Sequence, residues 1–381
     1  MTSRAEGAEP TTAPHPATGP ADPAGDRPRA VVVGTGLIGG SLGMGLRARG
    51  WHVSGTDADP AIARRAVAMG ALDRVGDDPD AEVVLVATPV GAAPALARAA
   101  LAVPGRRPDV VVSDVGGVKA AVVGAVDHPR FVGGHPMAGS EQSGLAGADP
   151  DLFVGATWVL TPDASTDPAA LAAMAAVVTL LGADVVTLSA ADHDRMVAVV
   201  SHVPHLVAAT LMNAAAQRAE QEGALLQLAA GGFRDMTRVA AGHPGIWPDI
   251  CEDNATAIVG ALDHLLEDLA AMRQRVAAGD RAGLLAVLER ASSARRALPA
   301  RATRPDRLAE LRVPVPDREG VLAEFTSLAA ELGINIYNVE IAHSAEGPRG
   351  VLVLVVDTAE APRLHDAVVA KGHRATVSEL S

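Results

Sequence analysis

The histidine at position 135 is the side chain in this sequence best placed for proton transfer. It lies near the end of FVGGHP (131–136), whose first residues predict a strand. Ligands of an open α/β sheet bind beyond the carboxyl ends of its strands, and an imidazole there can act as a general base. The alternative is that His135 only caps the turn before Pro136. The local sequence leaves both interpretations open.

A glycine pattern near the start of the chain could bind the phosphates of a dinucleotide. Gly34, Gly36 and Gly39 form GxGxxG between a predicted strand and a predicted helix. The first glycine permits a tight turn, the second lets the backbone approach a pyrophosphate, and the third lets the helix pack closely on the strand. Free N–H groups at the helix start then bind phosphate. Asp57 follows the next predicted strand, where its carboxylate can accept hydrogen bonds from a ribose diol.

The carboxylate of Asp57 also bears on which nucleotide binds. It would repel a 2′-phosphate, so the sequence favours NAD over NADP as the cofactor. Arg64 and Arg65 in the following helix could hold such a phosphate, but a solvated helix face explains them as well. The predicted cofactor-binding residues are Gly34, Gly36, Leu37, Ile38, Gly39, Asp57, Thr88 and Asp114.

A histidine pair raises the question of a metal. His202 and His205 flank Pro204 at an i, i+3 spacing, so they share one face of a helix. No thiolate or HExxH pattern completes a ligand set around them, and we predict no metal. The single cysteine, Cys251, cannot form an intrachain disulfide, which fits a reducing compartment.

The elements that must position these residues divide the chain into parts. Short β-branched runs alternate with Ala-rich helical segments over 29–189, which predicts a Rossmann-type α/β domain with a parallel sheet. Only helical patterns follow over 190–300, and strand and helix patterns return in a small α+β module over 308–381. Residues 1–28 lack Val, Ile, Leu and Phe and are predicted to form a disordered tail.

Charge and composition exclude several classes of protein. The net charge is −13, the wrong sign for a protein that binds a phosphate backbone, so nucleic acid is a poor partner. The start of the chain has no apolar segment of the kind that a secretory signal needs. The apolar stretches 83–103 and 171–186 are interrupted or too short for a bilayer. We therefore expect a soluble cytoplasmic protein with no membrane partner.

Several motifs together resemble the prephenate and arogenate dehydrogenase family of tyrosine biosynthesis over residues 29–298. HPMAGSEQSG and the SHxPH segment are far more specific than the glycine loop. The matching strings are, in order, VVVGTGLIGGSLG, SDVGGVK, FVGGHPMAGSEQSG, VVSHVPHLVAATL and GGFRDMTRVA.

This resemblance implies NAD-linked oxidative decarboxylation of prephenate to 4-hydroxyphenylpyruvate. By position, His135 matches the family's catalytic histidine, which accepts the proton of the ring hydroxyl. The family usually has a serine where Gly117 stands, and that hydroxyl helps to hold the histidine and the ring hydroxyl together. A water or a backbone amide would have to replace it here.

The two carboxylates of prephenate require cations. Arg238 matches the family's carboxylate-binding arginine, whose guanidinium suits bidentate pairing, although a salt bridge with Asp235 would also explain it. The family places His205 near the substrate and uses a tryptophan at Trp247 to close the pocket, with a core aromatic as the alternative. Glu141 is expected in an ionic gate with Arg238 and Asp235. The predicted substrate-binding residues are Arg238, His205, His202, Trp247, Glu141 and Gly117.

The last part of the chain resembles an ACT domain, a fold that binds amino acids as a regulatory module. The resemblance rests on PDREGVLAEF and LGINIYNVEI, in which Glu319 replaces the proline of the usual DRPG turn. It implies feedback by an amino acid, with tyrosine as the expected effector. The predicted contacts are Asp317, Gly320 and Asn335.

Three functions remain open from the sequence. The first is a prephenate dehydrogenase that forms a homodimer through its helical domain. The second is an arogenate dehydrogenase or a dual cyclohexadienyl dehydrogenase, because arogenate differs from prephenate by an amine in place of a ketone. The third is a nucleotide-binding sensor with weakened catalysis, motivated by Gly117 and the ACT-like module.

Overall fold

The computed structural model describes residues 27–139, 142, 144–242, 244–298, 308–316, 318, 320–343 and 349–379. Of the predicted tail, only positions 27 and 28 are among these residues. Glu141 and Asp317 lie outside them.

The first part of the chain is an α/β domain built on an eight-stranded sheet in the order β3-β2-β1-β4-β5-β6-β7-β8. Its strands are β1 (Arg29–Val33), β2 (His52–Thr56), β3 (Arg74–Val75), β4 (Val83–Val86), β5 (Val111–Asp114), β6 (Phe131–Pro136), β7 (Thr157–Thr161) and β8 (Asp184–Thr187). The helices between them are α1 (Leu37–Ala48), α2 (Pro60–Ala68), α3 (Ala93–Leu101), α4 (Ala120–Ala125) and α5 (Pro168–Leu180).

Neighbouring strands of this sheet run parallel except for β6 and β7, which are antiparallel. The central strands β4 and β5 are buried along their whole length, as expected where helices cover both faces of a parallel sheet. The predicted Rossmann-type fold is confirmed.

The second part is helical in its described residues. It contains α6 (Ala190–Val197), a π-helical turn (Ala198–His202), α7 (Val203–Ala219), α8 (Gly231–Thr237), α9 (Trp247–Asp253), α10 (Ala255–Ala278) and α11 (Arg281–Arg296), with short 3-10 turns between them. Ser189 caps α6 by accepting a hydrogen bond from the backbone of Asp192 at 3.1 Å. Helical structure therefore begins at the residue where the strand pattern stops, and the helical fold class is confirmed.

One stretch of this part, Ala190–Ala219, is long and apolar enough to cross a membrane by length and composition. The apolar stretches noted in the sequence, 83–103 and 171–186, do not include it. Length and composition alone do not separate a spanning segment from a helix of a globular domain. His193 and Asp194 in this stretch are buried and hydrogen-bond to the α/β domain, so we assign the stretch to the globular body.

The third part is a small α+β module with a four-stranded antiparallel sheet in the order β10-β11-β9-β12. Leu311, Phe325, Leu354 and Leu364 lie in its own hydrophobic core. The elements are β9 (Leu308–Pro316), α12 (Val321–Glu331), β10 (Ile336–His343), β11 (Arg349–Asp357), α13 (Ala361–Ala370) and β12 (Thr376–Glu379). This is the predicted strand, helix, strand, strand, helix, strand order.

Candidate active site

The glycine loop between β1 and α1 has the geometry of a phosphate cradle. Gly34 has φ +90°, and a Cβ there would lie 2.4 Å from the carbonyl oxygen of Ala87. A Cβ on Gly36 would meet no atom within 4 Å, so the backbone is open to a ligand at that position. A Cβ on Gly39 would lie 1.8 Å from the carbonyl oxygen of Gly34, so helix and turn are in close contact. Turn, open approach and close packing thus occur at the glycines predicted for each.

The start of α1 provides the hydrogen-bond donors of this cradle. The helix begins at Leu37, and the N–H groups of its first turn have no intrahelical partners. They are those of Leu37, Ile38 and Gly39, three of the residues that the sequence predicts to bind the cofactor. Thr88 lies against the loop, since its Cγ2 would be 2.9 Å from a Cβ on Gly34, and its buried hydroxyl has no partner within the described part of the chain.

Asp57 follows β2 and is held against the glycine loop. Its Oδ2 accepts hydrogen bonds from the backbone N of Thr35 at 2.8 Å and from the Thr35 hydroxyl at 2.9 Å. Its Oδ1 accepts one from the backbone N of Asp59 at 3.0 Å. An open loop, a helix start and a carboxylate at the end of the next strand fit the pyrophosphate and ribose of a dinucleotide.

His135 lies near the end of β6 and is oriented by a second histidine. Its Nδ1 is 2.8 Å from Nε2 of His193, and the Nδ1 of His193 is 2.8 Å from Oδ1 of Asp194. The Asp194 carboxylate also accepts hydrogen bonds from the backbone N of Lys119 at 2.7 Å and of Ala120 at 2.8 Å. Burial raises the pKa of Asp194, but these donors outweigh it and bring the pKa below its ordinary 3.8.

An ionised Asp194 fixes the direction of the whole chain of hydrogen bonds. The carboxylate requires a donor, so His193 donates from Nδ1 and, when neutral, accepts at Nε2. His135 must then donate its Nδ1–H to His193, which leaves the lone pair of His135 on Nε2. Nε2 is therefore the atom of His135 that can receive a proton.

The surroundings of His135 also keep it neutral. Burial is the main cause that lowers its pKa well below 6.5, and the nearby charge of Lys119 lowers it further. A neutral imidazole at pH 7 can accept a proton, as a general base must.

Gly117 lies beside the proton-accepting atom. A Cβ built on Gly117 would be 3.8 Å from both Cε1 and Nε2 of His135. A serine side chain at this position would be next to the base, so its replacement by glycine leaves His135 without a hydroxyl neighbour there. His193 holds the other side of the ring.

A buried ion pair supports the strand that carries His135. Lys119 and Asp114 are fully buried and paired, and Lys119 Nζ donates to the carbonyl of Gly134 at 2.9 Å. Asp114 accepts from the backbone N of Gly116 at 2.9 Å and of Gly134 at 3.2 Å. Protein donors therefore surround this buried carboxylate and tie it to β6. That Asp114 binds the cofactor stays a prediction.

The helical domain brings three predicted side chains together. Trp247 stacks on His205 with ring centroids 3.7 Å apart and contacts His202 edge to face at 6.2 Å. His202 is further held by the side-chain amide of Asn254, 3.2 Å from its Nδ1, and that amide donates to the carbonyl of Asp194 at 2.8 Å. Trp247 is only half buried, which disfavours the core-aromatic alternative.

Arg238 is exposed at the start of a 3-10 turn, Arg238–Ala241. Gly242, the residue that follows this turn, lies near His205, because a Cβ built on it would be 3.8 Å from the ring. The predicted gate partner Glu141 lies outside the described residues.

Gly320 and Asn335, predicted for the regulatory site, belong to the C-terminal module. Gly320 has φ +82° at the start of α12, and Asn335 is exposed just before β10. Asp317, the third predicted contact, is outside the described residues.

The residues that hold His135 were not predicted from the sequence. His193 and Asp194 are adjacent in AADHDRM near the start of a predicted helix, and such a titratable pair beside the domain boundary was the available signal. Lys119 was part of a quoted motif without a role, and Asn254 gave no local signal. Across the described ranges, no group of three or more His, Cys, Asp or Glu residues is arranged to hold a metal ion.

Comparisons with known proteins agree with this arrangement. Family models match residues 42–187 to the nucleotide-binding domain of prephenate dehydrogenase and residues 189–290 to its dimerization domain. The prephenate dehydrogenase of Bacillus subtilis is 33% identical over 335 residues, which cover 84% of this chain and 90% of that protein. The cyclohexadienyl dehydrogenase of Zymomonas mobilis is 34% identical over 70% of this chain and 94% of its own length.

Solved structures give the same result. The Synechocystis arogenate dehydrogenase has a TM-score of 0.63 at 32% identity, covering 70% of this chain and 98% of its own. The Aquifex aeolicus prephenate dehydrogenase, solved with hydroxyphenyl propionate and NAD+, has a TM-score of 0.65 at 29% identity, covering 71% and 98%. The glycine loop, the hydrogen-bonded His135 and these relatives agree, and the chain belongs to the prephenate dehydrogenase family.

Proposed function

We propose that this protein is an NAD-dependent prephenate dehydrogenase that converts prephenate to 4-hydroxyphenylpyruvate with loss of CO₂. The observation that carries the proposal is the series of hydrogen bonds from His135 to His193 and from His193 to Asp194. It leaves Nε2 of a neutral His135 as the proton acceptor. This base lies in the same sheet as the glycine loop, at the strand ends where α/β enzymes bind their ligands.

The chain's residues divide the reaction between them. Bound at the glycine loop, NAD would accept the hydride from the ring carbon that bears the hydroxyl. His135 takes the proton of that hydroxyl at Nε2, while His193 and Asp194 stabilise the imidazolium that forms. Loss of the ring carboxylate as CO₂ then completes an aromatic ring and leaves a phenolate oxygen, which takes the proton back from His135 to give the hydroxyl of the product. Aromatisation makes the step effectively irreversible.

Substrate binding falls to the helical domain in this proposal. Arg238 pairs with a carboxylate of the substrate, and His205 contacts it from the neighbouring helix. Trp247, stacked on His205, closes the pocket and limits the access of water. Glu141 gates the entrance together with Arg238 and Asp235.

Arogenate is the second candidate substrate. It is favoured by the relatives themselves, one of which is a cyclohexadienyl dehydrogenase and another an arogenate dehydrogenase. A weakened sensor is the more distant alternative, because Gly117 lacks the hydroxyl beside the base.

The remaining parts of the proposal concern assembly, location and control. The helical domain matches a dimerization domain, and we infer a homodimer formed through it. We place the enzyme in the cytoplasm. We further propose that the C-terminal module is an ACT domain that binds tyrosine through Asp317, Gly320 and Asn335.

Steady-state rates of NADH or NADPH formation with prephenate and arogenate, each with NAD and NADP, test these proposals together. We expect the highest kcat/KM with prephenate and NAD. A higher kcat/KM with arogenate would move the assignment to arogenate dehydrogenase. No reduced nucleotide with either substrate, from a protein that still binds NAD, would favour the sensor.

A further inference from the structure

We infer that Thr35 is a positioning residue that sets the preference for NAD over NADP by fixing the carboxylate of Asp57. The inference rests on the proposed use of NAD and deepens it. Thr35 occupies the first variable position of the GxGxxG loop and is fully buried, so its hydroxyl faces the protein rather than the open side of the loop.

The hydrogen bonds around Asp57 are arranged unequally. Thr35 donates twice to Oδ2, from its backbone N at 2.8 Å and from its hydroxyl at 2.9 Å. Within the part of the chain that the structure describes, Oδ1 accepts from the backbone N of Asp59 alone, at 3.0 Å. An ionised carboxylate has about four acceptor sites, so about one remains, and it lies on Oδ1. A ribose hydroxyl fits that site.

A carboxylate held in this way cannot turn aside for a 2′-phosphate. The negative charge of Asp57 stays where that phosphate would lie, so the two groups repel each other and NADP binds more weakly than NAD. Arg64 and Arg65 on α2 are exposed nearby in sequence and could serve a phosphate if the carboxylate moved. The Thr35 hydroxyl is the only side-chain donor to Asp57 among the bonds described, so its hydrogen bond is the one that a substitution can remove.

Thr35→Val tests the hydrogen bond from the Thr35 hydroxyl to Asp57, because valine keeps the shape of the side chain and the backbone N–H and loses only the hydroxyl. Isothermal titration of the full-length protein with NAD or NADP, without any other substrate, gives the two dissociation constants. We expect Thr35→Val to weaken NAD binding about 5- to 20-fold and to lower the preference for NAD over NADP about 10-fold. Thr35→Ser, which restores the hydroxyl, is expected to stay within about twofold of the wild type.

A double-mutant cycle separates positioning from damage to the loop. On an Asp57→Ala background, Thr35→Val is expected to change NAD binding by less than about twofold, because the group it positions is gone. Thermal melting of each variant checks the fold. Unchanged nucleotide preference in Thr35→Val, or an equal loss of NAD binding on both backgrounds, would overturn the inference.

The outcome is separable from that of the proposed reaction. If the wild type binds NAD and the Thr35 variants behave as expected while prephenate is not oxidised, the substrate assignment fails and the inference stands. If prephenate is oxidised with NAD and Thr35→Val keeps the full preference, the inference alone fails.

Discussion

His135 has one ring nitrogen bound to the protein and the other beside Gly117. His193 takes the Nδ1 side, and the 3.8 Å between Nε2 and a Cβ built on Gly117 leaves space beside the base. His135 is thus oriented by its hydrogen bond to His193, which Asp194 holds in turn. It is not oriented from position 117, where the family resemblance expects a serine.

Replacement of His135 by asparagine is expected to lower kcat about 10²- to 10⁴-fold with little change in KM. Asparagine can keep a hydrogen bond to His193 but cannot take a proton from the substrate. Steady-state kinetics with prephenate and NAD measure both constants. Wild-type activity in this variant would remove His135 from the reaction.

The depressed pKa of His135 predicts the acid side of the pH profile. The base is active when neutral, and burial together with the charge of Lys119 lowers its pKa well below 6.5. Activity is therefore lost only as the pH falls through this lowered value, so kcat/KM should stay level down to about pH 6.5. The residual activity of His135→Asn should lack this limb. A midpoint at or above 6.5 in the wild type would contradict the burial argument.

Asp194 is predicted to act through His193 as a positioning residue. Asp194→Asn removes the charge that sets the direction of the hydrogen bonds, so kcat should fall about 10- to 100-fold while KM for NAD is kept. The acid limb of kcat/KM should also move, which a purely structural defect would not cause. Asp192→Asn, two residues earlier on α6 and bonded to Ser189 instead, is the matched control and should leave both unchanged. An unshifted limb in Asp194→Asn would refute the role.

At the scale of elements, β6 is the strand on which the site depends. It lies between β5 and β7. The carbonyl of Gly134 accepts a hydrogen bond from Lys119, and the N–H of Gly134 donates one to Asp114. A Cβ on Gly134 would be 2.7 Å from the carbonyl oxygen of Asp114 and 3.0 Å from Nε1 of Trp158. The glycine before His135 is therefore required by close packing.

Gly134→Ala is expected to destabilise the protein by about 1–3 kcal/mol, since the new methyl group must push backbone and indole apart. The midpoint of urea unfolding measures the loss, and kcat should fall with it as β6 shifts. Gly124→Ala in α4 is the control. Its methyl would meet no atom within 4 Å, and the helix should gain about 0.5–1 kcal/mol. Equal midpoints for the two variants would contradict the packing argument.

At the scale of the whole molecule, the helical domain exposes an apolar surface that the single chain leaves uncovered. Several large side chains on it are more than half exposed, namely Val200, Leu228, Leu266, Val276 and Leu288. Large apolar side chains left exposed on one domain favour a protein interface there. It agrees with the match of residues 189–290 to a dimerization domain.

The C-terminal module carries a prediction of its own, that tyrosine binds near Gly320 and inhibits the enzyme. Gly320→Ala strains a residue with φ +82° beside the predicted binding loop, and tyrosine affinity should fall about 10-fold by calorimetry. Gly333→Ala, at φ +68° at the other end of α12, imposes a similar strain away from that loop and should keep the affinity. If tyrosine neither binds nor inhibits the wild type, the module has another role.

Local sequence patterns were enough to predict the fold class and the dinucleotide-binding loop, and the family resemblance added His135 as the candidate base. The first two depend on neighbouring residues, because strand and helix periodicity and the GxGxxG turn are properties of a local backbone. Asp57 could also be predicted as a cofactor-binding residue, since it lies at the end of the strand that follows the loop.

How the ring of His135 is held depends on contacts between elements that are distant in the sequence. His135 and His193 are 58 positions apart, and Lys119 and Asp194 are 75 apart, so no local pattern records either contact. The surroundings of Asp114 were decided in the same way, because its buried carboxylate accepts a hydrogen bond from the backbone N of Gly134, 20 positions away on the neighbouring strand β6. Local propensity specifies the elements, whereas burial and hydrogen bonding between distant elements determine the chemistry of the site.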